Sequence, residues 1–273
     1  MRRLHLFGCA LLCAALASPA GAVGLRVTVS NLASPGGFSL TPVYTAFHNG
    51  SVDLFDAGAA ASDGIEEIAE LGGFGGLTAQ RLATQGDSQG AVVTAGAPPT
   101  IDPGETGVAE VDIADPAENR FFSFFSMIVP SNDTFFGNDD ARGFALFGED
   151  GEFLGSQTIA IGPAFIFDAG TEENDFSNGP AFVVGADATA GAETAGLITA
   201  ATDEGLGLET VSLEGLTTPA GLFNPLFASV GGPVALITIE QIDAAVPLPT
   251  SALLFLTGIG GFVLIGRRTA RLV

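Results

Sequence analysis

The chain has 273 residues, a formal net charge of −22 and no lysine. All 31 acidic residues lie within residues 23–245, where only four arginines oppose them and leave a net charge of −27, which disfavours binding to nucleic acid or to anionic lipid. Both cysteines precede residue 14 and His48 is the one histidine of residues 23–245, so that stretch has no disulfide, no cysteine nucleophile and no histidine-rich metal site.

The N-terminal residues have the pattern of a secretory signal peptide. Two arginines precede an apolar run from Leu6 to Ala17, and small residues ending in Ala-Gly-Ala follow. The apolar run of about a dozen residues is shorter than the roughly 20 that a membrane-spanning helix needs. We therefore predict that residues 1–22 form a signal peptide that is removed after Ala22.

Residues 23–245 predict one β-rich domain of about 220 residues, which is large enough to form its own core. Short apolar runs are separated, roughly every 8–15 residues, by glycine, proline and other turn residues, a spacing typical of a β-sandwich. We predict strands at residues 26–30, 108–113, 121–129 and 234–240, and a hairpin of residues 143–147 and 153–155. The continuous apolar strand 121–129 predicts that its four phenylalanines are buried on both strand faces.

One segment predicts a short helix between residues 62 and 73. Ser62 is a candidate N-cap, acidic residues occupy the first turn, and a pair of glycines follows the segment. Ile65, Ile68 and Leu71 recur at a spacing of three, which predicts that they share the buried face of the helix.

The last 28 residues have the pattern of a membrane anchor. Residues 246–265 carry no charge, and this run of about 20 residues is just long enough for a helix to cross the hydrocarbon core. We predict a transmembrane helix there. The arginines that follow would stay in the cytoplasm under the positive-inside rule, so the domain would face outwards.

This C-terminal segment, VPLPTSALLFLTGIGGFVLIGRR, resembles the PEP-CTERM sorting signal of Gram-negative bacteria. The resembling residues are Val246, Pro247 and Pro249 of the motif and Arg267 and Arg268 of the basic tail. A leucine stands where the family most typically has glutamate. The resemblance implies recognition by an exosortase, cleavage near the motif, and export through the inner membrane to the cell surface, the outer envelope or an extracellular matrix. It leaves open whether the anchor is cut or retained.

Four stretches within residues 25–240 together resemble the spondin N-terminal domain in its bacterial form. The most specific is Ser126–Gly137, which is close to the family pattern Ser-Met-x-x-Pro-Ser-x-Asp. The element Asp-Ala-Gly-Thr-acid of the family is matched by Asp168–Glu172. The remaining stretches are residues 29–32 with 38–42, and residues 48–58 with 61–62 and 68–70.

The spondin resemblance implies an all-β fold, namely an antiparallel β-sandwich of about eight strands with one or two short helices. In animal extracellular-matrix members such domains carry a calcium site and act in adhesion. Carried over residue by residue, the resemblance assigns the calcium ligands to Asp133, Asp168 and Glu172. Glu172 stands where the animal pattern has aspartate, and this chain lacks the cysteines of the animal domains.

The same three residues fit calcium by their chemistry, because calcium takes about six to eight oxygen ligands. Asp133 follows a strand and Pro130, which places it at a loop tip, and Asp168 follows an apolar run at a strand end. Gly170 lets the chain turn, so that Glu172 can point back to the same ion. The alternative is that all three are exposed turn carboxylates, since aspartate and glycine are ordinary turn residues.

We therefore expect an exported calcium-binding adhesion or interaction module that contacts an extracellular protein or polysaccharide. A structural component of an extracellular polymer, without a specific ligand, is one alternative. A carboxylate-based hydrolase is another, because the tetrapeptide Phe-Asp-Ala-Gly occurs at both Asp56 and Asp168, and two such loops resemble the aspartate pair of the aspartic proteases. Alanine follows both aspartates where those proteases need threonine or serine, so we expect no enzymatic activity.

Overall fold

A computed structural model of the protein describes residues 21–174, 179–201, 213–224 and 232–242. These residues form two antiparallel sheets, a two-stranded ribbon and two short α-helices. The strands are β1 (Val23–Asn31), β2 (Ser39–Leu40), β3 (Val43–His48), β4 (Gln89–Val93), β5 (Thr106–Ile113), β6 (Phe121–Val129), β7 (Thr134–Gly137), β8 (Gln157–Ile161), β9 (Ile166–Asp168), β10 (Thr199–Ala200), β11 (Thr217–Thr218), β12 (Gly221–Leu222) and β13 (Ala235–Ile242). The helices are α1 (Asp63–Leu71) and α2 (Gly75–Thr84).

The smaller sheet has the strand order β5-β1-β13-β8, and its strands pair antiparallel. Residues of β1 alternate between the core and the surface, as the sequence pattern predicts. Leu25, Val27 and Val29 are fully buried. Arg26 is exposed on the opposite face and pairs with Glu110 of β5, with an N–O distance of 2.7 Å. One face of this sheet is therefore solvated.

The larger sheet has the strand order β10-β9-β7-β6-β3-β4, and β2 also pairs with β6. The long strand β6 lies between β3 and β7, and eight of its nine residues are buried. Both faces of this sheet are covered, which explains why β6 is apolar throughout. The prediction for its phenylalanines is confirmed for Phe122 and Phe124, which enter one core, and for Phe125, which enters the other, but not for Phe121, which is only half-buried.

The first core lies between the two sheets and makes the structure a β-sandwich. Its members come from inward-facing positions of both sheets, such as Val27 and Ile237 on one side and Phe47 and Phe122 on the other. Six tilted aromatic pairs within or beside it involve strands and connecting segments of the larger sheet. Burial of these large side chains supplies most of the driving force for the sandwich.

The second core lies on the outer face of the larger sheet, where α1 covers strands β6 and β7. The predicted caps of α1 are confirmed, because the Ser62 hydroxyl accepts a hydrogen bond from the Ile65 backbone N–H and Gly72 ends the helix at a φ of 66°. The predicted buried face is correct for Ile65 and Ile68. It is wrong for Leu71, which is 46% exposed, because the helix ends there and Ala69 takes the place against the sheet.

Helix α2 has no start signal in its own sequence, which opens with two glycines and has no side-chain cap. The cap comes from α1 instead. The Glu67 carboxylate accepts hydrogen bonds from the backbone N–H groups of Gly75 and Gly76, at 3.3 and 2.6 Å. A carboxylate at this position also interacts favourably with the helix dipole. The two helices thus form one unit on the outer face of the sheet.

The predicted strands agree with the structure where they are long. Eight of the described strands have four or more residues, in agreement with the prediction of about eight, and the other five have only two or three. Alternation over two or three residues is too short to detect in a sequence. The predicted hairpin of residues 143–147 and 153–155 is present in a short form: the Gly148 backbone N–H donates to the Glu152 carbonyl and the Leu154 N–H donates to the Leu146 carbonyl, but the strand pairing is limited to an isolated bridge between Phe147 and Phe153. Gly151 lies in the turn itself, whereas Gly155, with its positive φ, follows the last hydrogen-bonded residue, Leu154.

No helix in the described ranges is long and apolar enough to cross a membrane. The predicted transmembrane segment 246–265, the sorting motif and all but the last two residues of the predicted signal peptide lie outside the described residues.

Because the two helices are in close contact at Gly64, we predict that Gly64→Ala lowers the free energy of unfolding. A methyl group at Gly64 would lie 2.8 Å from the Leu77 backbone nitrogen and 2.9 Å from the Gly76 carbonyl carbon. We expect a loss of about 1–3 kcal/mol in the free energy of unfolding, measured in urea, even though alanine favours helix. Gly86→Ala is the control, since its methyl group would meet no atom closer than 3.8 Å. A Gly64→Ala protein as stable as the wild type would contradict the close packing.

His48 at the end of β3 is buried as a neutral imidazole. Its Nδ1 accepts a hydrogen bond from the Gly50 backbone N–H at 3.1 Å, which leaves Nε2 to donate to the Ser123 hydroxyl at 2.9 Å. Burial, and then the positive charge of Arg81, lower the pKa of His48 to about 4 from its ordinary value of 6.5. Its role is structural, since both ring nitrogens are used within the fold.

The pKa of His48 predicts an acid-dependent loss of stability. Because this pKa is lower in the folded protein, the unfolded state takes up the proton first as the pH falls. The contribution of His48 is therefore complete above pH 6.5 and decreases as the pH falls towards 4, by about 3 kcal/mol in total. Urea unfolding of the wild type and of His48→Gln between pH 7 and 4 measures this difference. Parallel pH profiles of the two proteins would contradict it.

Candidate cation site

Asp133 lies in the short loop between β6 and β7, and its side chain is fully buried. The Ser131 hydroxyl shapes this loop by donating to the Ile128 carbonyl at 2.7 Å and accepting from the Thr134 backbone N–H at 3.2 Å. The predicted position of Asp133 in a loop is correct, but this loop does not project into solvent. The loop folds inwards because the segment after β9 covers it, and the Ala169 backbone N–H donates to the Asp133 carbonyl.

The segment Asp168–Glu172 turns back over Asp133, as the sequence predicts. Gly170 makes this turn at a φ of 69°, a conformation that favours glycine. The turn aims two backbone N–H groups at Asp133 Oδ2, from Thr171 at 2.8 Å and from Glu172 at 3.1 Å. The Thr171 hydroxyl lies 3.3 Å from the same oxygen. Two loops that are distant in sequence thus meet at one carboxylate.

Asp168 is the negatively charged neighbour of Asp133. Burial, and then the charge of Asp168, raise the pKa of Asp133 to about 6, although the hydrogen bonds from Glu172 and Thr171 act in the opposite direction. Asp168 itself is half-buried at the end of β9. Its carboxylate accepts hydrogen bonds from the Gly170 backbone N–H at 2.8 Å and from the Asn174 side chain at 2.7 Å.

Glu172 is also buried, at 7% exposure, and its Oε2 accepts a hydrogen bond from the Asn132 side chain at 3.1 Å. Glycines line its carboxylate, and a side chain at either Gly179 or Gly191 would collide with it. The alternative that the predicted ligands are exposed turn residues is therefore wrong for Asp133 and Glu172, which are core residues of this loop cluster.

We define the strand-end site as the side chains of Asp133, Asp168 and Glu172. The structure brings Asp133 and Asp168 together and bonds Asp133 to the backbone of Glu172. It does not arrange the three side chains around one position for an ion. Within the described ranges, no three histidine, cysteine, aspartate or glutamate side chains are arranged so that they could hold a metal. The calcium assignment therefore stays a prediction.

The residues of the strand-end site nevertheless fit a hard cation by their chemistry. Asp133 Oδ1 is buried and has no hydrogen-bond partner among the described residues. A buried carboxylate oxygen without a partner is unfavourable unless a donor or a cation satisfies it. The groups around it offer oxygen ligands from carboxylates, a side-chain amide and the backbone, the donor set that calcium prefers.

Sequence reasoning missed the roles of two residues beside the strand-end site. The family element includes Thr171, but its pattern does not indicate that the hydroxyl contacts Asp133. The sequence places Glu70 in a helix, yet one of its carboxylate oxygens is buried without a partner among the described residues. Burial raises the pKa of Glu70 to about 7, a Thr171 hydrogen bond opposes this, and the charges of Glu172, Glu66 and Glu193 add to it. Only the packing of α1 on the sheet could have revealed this position.

Comparison with known proteins gives the family. A family model described as Spondin_N matches residues 34–204, well over half of the chain. The chain belongs to the Spondin_N family. No curated protein matches it. Spondin_N domains are typically extracellular, which supports a secreted protein and an extracellular interaction module.

The structure extends the Spondin_N domain beyond the matched residues. β13 lies outside residues 34–204, as does all of β1, yet these two strands form the centre of the smaller sheet. They pair with β5 and β8, which lie inside the match. The sandwich is therefore complete only with residues on both sides of the matched range.

The hydrolase alternative finds little support in this Spondin_N domain, whose family is not a known enzyme family. The two Phe-Asp-Ala-Gly tetrapeptides do approach each other, but through their rings: the centroids of Phe55 and Phe167 are 5.0 Å apart. Their aspartates have different acidic neighbours. The charge of Asp56 raises the pKa of Asp53, whereas the charge of Asp168 raises the pKa of Asp133.

Because Gly170 has a positive φ in the turn of residues 168–172, we predict that Gly170→Ala disrupts the strand-end site. An alanine would have to adopt a φ of 69°, with its methyl group 2.7 Å from the Leu197 carbonyl oxygen. We expect a loss of about 2 kcal/mol or more in the free energy of unfolding. Gly162→Ala is the control, because no atom lies within 4 Å of its methyl group. Equal stability of the two variants in urea would contradict the strained turn.

Proposed function

We propose that this Spondin_N protein is an exported calcium-binding interaction module, and that calcium at the strand-end site stabilises its loops. The observation that carries the proposal is the fully buried Asp133, whose Oδ1 lacks a hydrogen-bond partner among the described residues. Burying a charged carboxylate is unfavourable unless it is paired. A bound cation would provide that pairing for Asp133 and Asp168.

The residues that would hold the ion are Asp133, Asp168 and Glu172, with backbone carbonyls and water completing the ligands. Calcium would supply positive charge where two carboxylates lie close together. Asp133 belongs to the β6–β7 loop, Asp168 is the last residue of β9, and Glu172 belongs to the segment after β9. A cation shared by both would hold these loops together and present one rigid surface for adhesion.

Export and sorting are part of the proposal. The predicted signal peptide ends at Ala22, and β1 begins at Val23, so its removal would leave the sandwich intact. The last described strand ends at Ile242, before the sorting motif that begins at Val246. We expect an exosortase to recognise that motif and its C-terminal helix to hold the protein at the membrane of a Gram-negative bacterium before surface or matrix delivery.

The partner that we expect is an extracellular protein or polysaccharide. A surface with the charge of residues 23–245 repels nucleic acid and favours partners that are basic or that bind through cations. We therefore propose adhesion as the function of the exported domain and propose no catalytic role.

Calcium-dependent stability tests this proposal. The wild type, Asp168→Asn and Asp112→Asn are unfolded thermally and in urea, with calcium and with a chelator. At a calcium concentration 100 times the dissociation constant, we expect the wild type to gain about 2.7 kcal/mol. Asp168→Asn should lose this gain. Asp112→Asn should keep it, because Asp112 is an exposed residue of β5 in the other sheet.

The controls separate the site from general charge effects. A gain that both variants keep would indicate non-specific screening of the acidic surface rather than binding at the strand-end site. No gain by the wild type at millimolar calcium would overturn the cation site and favour the structural-polymer alternative.

A further inference from the structure

Glu70 occupies an unfavourable place in helix α1. It lies in the last turn, where a negative charge faces the negative end of the helix dipole, and that turn has no basic residue. Helix α1 packs against β6 and β7, the two strands that the Asp133 loop connects. The helix itself therefore provides no compensation for the charge of Glu70, and its packing brings this residue towards the neighbouring loops.

Thr171 connects Glu70 to the strand-end site. The Thr171 side chain lowers the pKa of Glu70 by a hydrogen-bonding contribution, and its hydroxyl lies 3.3 Å from Asp133 Oδ2. A threonine hydroxyl has one proton, so it cannot donate to two carboxylates at once. The two carboxylates share a single side-chain donor, and their negative charge is compensated only in part.

Two oxygens of this group are buried without a hydrogen-bond partner among the described residues. They are Glu70 Oε1 and Asp133 Oδ1. Asp133 is fully buried, so water reaches its side chain poorly. Unpaired carboxylate oxygens on both sides of Thr171 indicate that something other than protein donors satisfies them.

The domain has no side-chain cation available for this purpose. Residues 23–245 contain four arginines and no lysine, and each arginine is engaged elsewhere. Their partners are Glu110 for Arg26, Tyr44 and Ser88 for Arg81, Glu149 for Arg120, and the Gly50 carbonyl for Arg142. The compensating positive charge must therefore come from solution.

We propose that helix α1 supplies a fourth carboxylate, that of Glu70, to the strand-end site, and that its charge strengthens the binding of a divalent cation. Glu70 is a positioning residue in this arrangement, because it acts through Thr171 on Asp133. The inference rests on the proposed function and deepens it. The bound ion would connect the helical layer to the loops of the sheet, so that one ligand orders both.

The test compares Glu70→Gln with Glu66→Gln in the full-length protein. Glu66 lies one turn earlier on the same helix, so both variants lose one charge from α1. Isothermal titration calorimetry with calcium chloride measures affinity, and urea unfolding in chelator measures the stability of the calcium-free protein. We expect Glu70→Gln to bind calcium about 10-fold more weakly than the wild type, while Glu66→Gln binds as the wild type does.

In chelator we expect the opposite sign. Glu70→Gln should be more stable than the wild type, because the substitution removes a partly buried charge that is compensated only in part. A packing role of Glu70 would lower stability in chelator as well, so a variant that is weaker in both measurements would overturn the inference.

The remaining outcomes separate the two proposals. Equal calcium affinities of Glu70→Gln and Glu66→Gln would overturn the role of Glu70 while leaving the cation site in place. Absence of calcium binding by the wild type would overturn the cation site and, with it, this inference.

Discussion

The burial of the Asp133 carboxylate is the constraint to which the loops after β6 and β9 conform. A carboxylate removed from water needs hydrogen bonds or a counter-charge. Backbone N–H groups of Thr171 and Glu172 provide the hydrogen bonds for one of its oxygens. This requirement explains the left-handed Gly170, because only a tight turn there directs both N–H groups at the same atom. The nearby charge of Asp168 adds to the effect of burial and raises the pKa of Asp133 further.

The position of this carboxylate follows from a sheet that is buried on both faces. Strand β6 contacts the sandwich core through Phe122 and Phe124 and the helical layer through Phe125. The loop at its end is therefore enclosed by structure on several sides, and Asp133 is carried inwards with it. Helix α1, which covers the outer face, brings Glu70 to the same place. The three-layer packing thus converts ordinary turn and helix residues into an acidic group with little access to water.

The acidic group differs from the way in which an acidic domain usually places its charges. A domain with many acidic residues usually disperses their repulsion across a hydrated surface. Here several carboxylates converge in buried loops, and the few arginines are committed to other contacts. Arg81, for example, is buried and donates hydrogen bonds to Tyr44 and Ser88. Its charge also lowers the pKa of His48. Neither of the ion pairs among the described residues involves a carboxylate of the strand-end site.

The local features of the fold were predictable from the sequence because they depend on neighbouring residues. Strand β6, the caps of α1 and the turn at Gly170 each have a local signal in residue type and spacing. Helix α2 was not predictable, since its cap is Glu67 of the preceding helix, and the short strands were not, since they exist only by pairing with longer ones. Export and sorting, which the sequences of residues 1–20 and 243–273 indicate, remain predictions.

For the site, the sequence alone predicted the three acidic residues, through the spondin resemblance, and the glycine that turns the chain, through its local conformational freedom. Tertiary structure alone decided that Asp133 and Glu172 are buried, that the Thr171 hydroxyl contacts Asp133, and that Glu70 lies nearby. The physical reason is that burial and charge proximity arise from segments far apart in the chain. A helix residue near position 70 and loop residues near 133 and 171 meet only after the sheet and the helical layer have packed together.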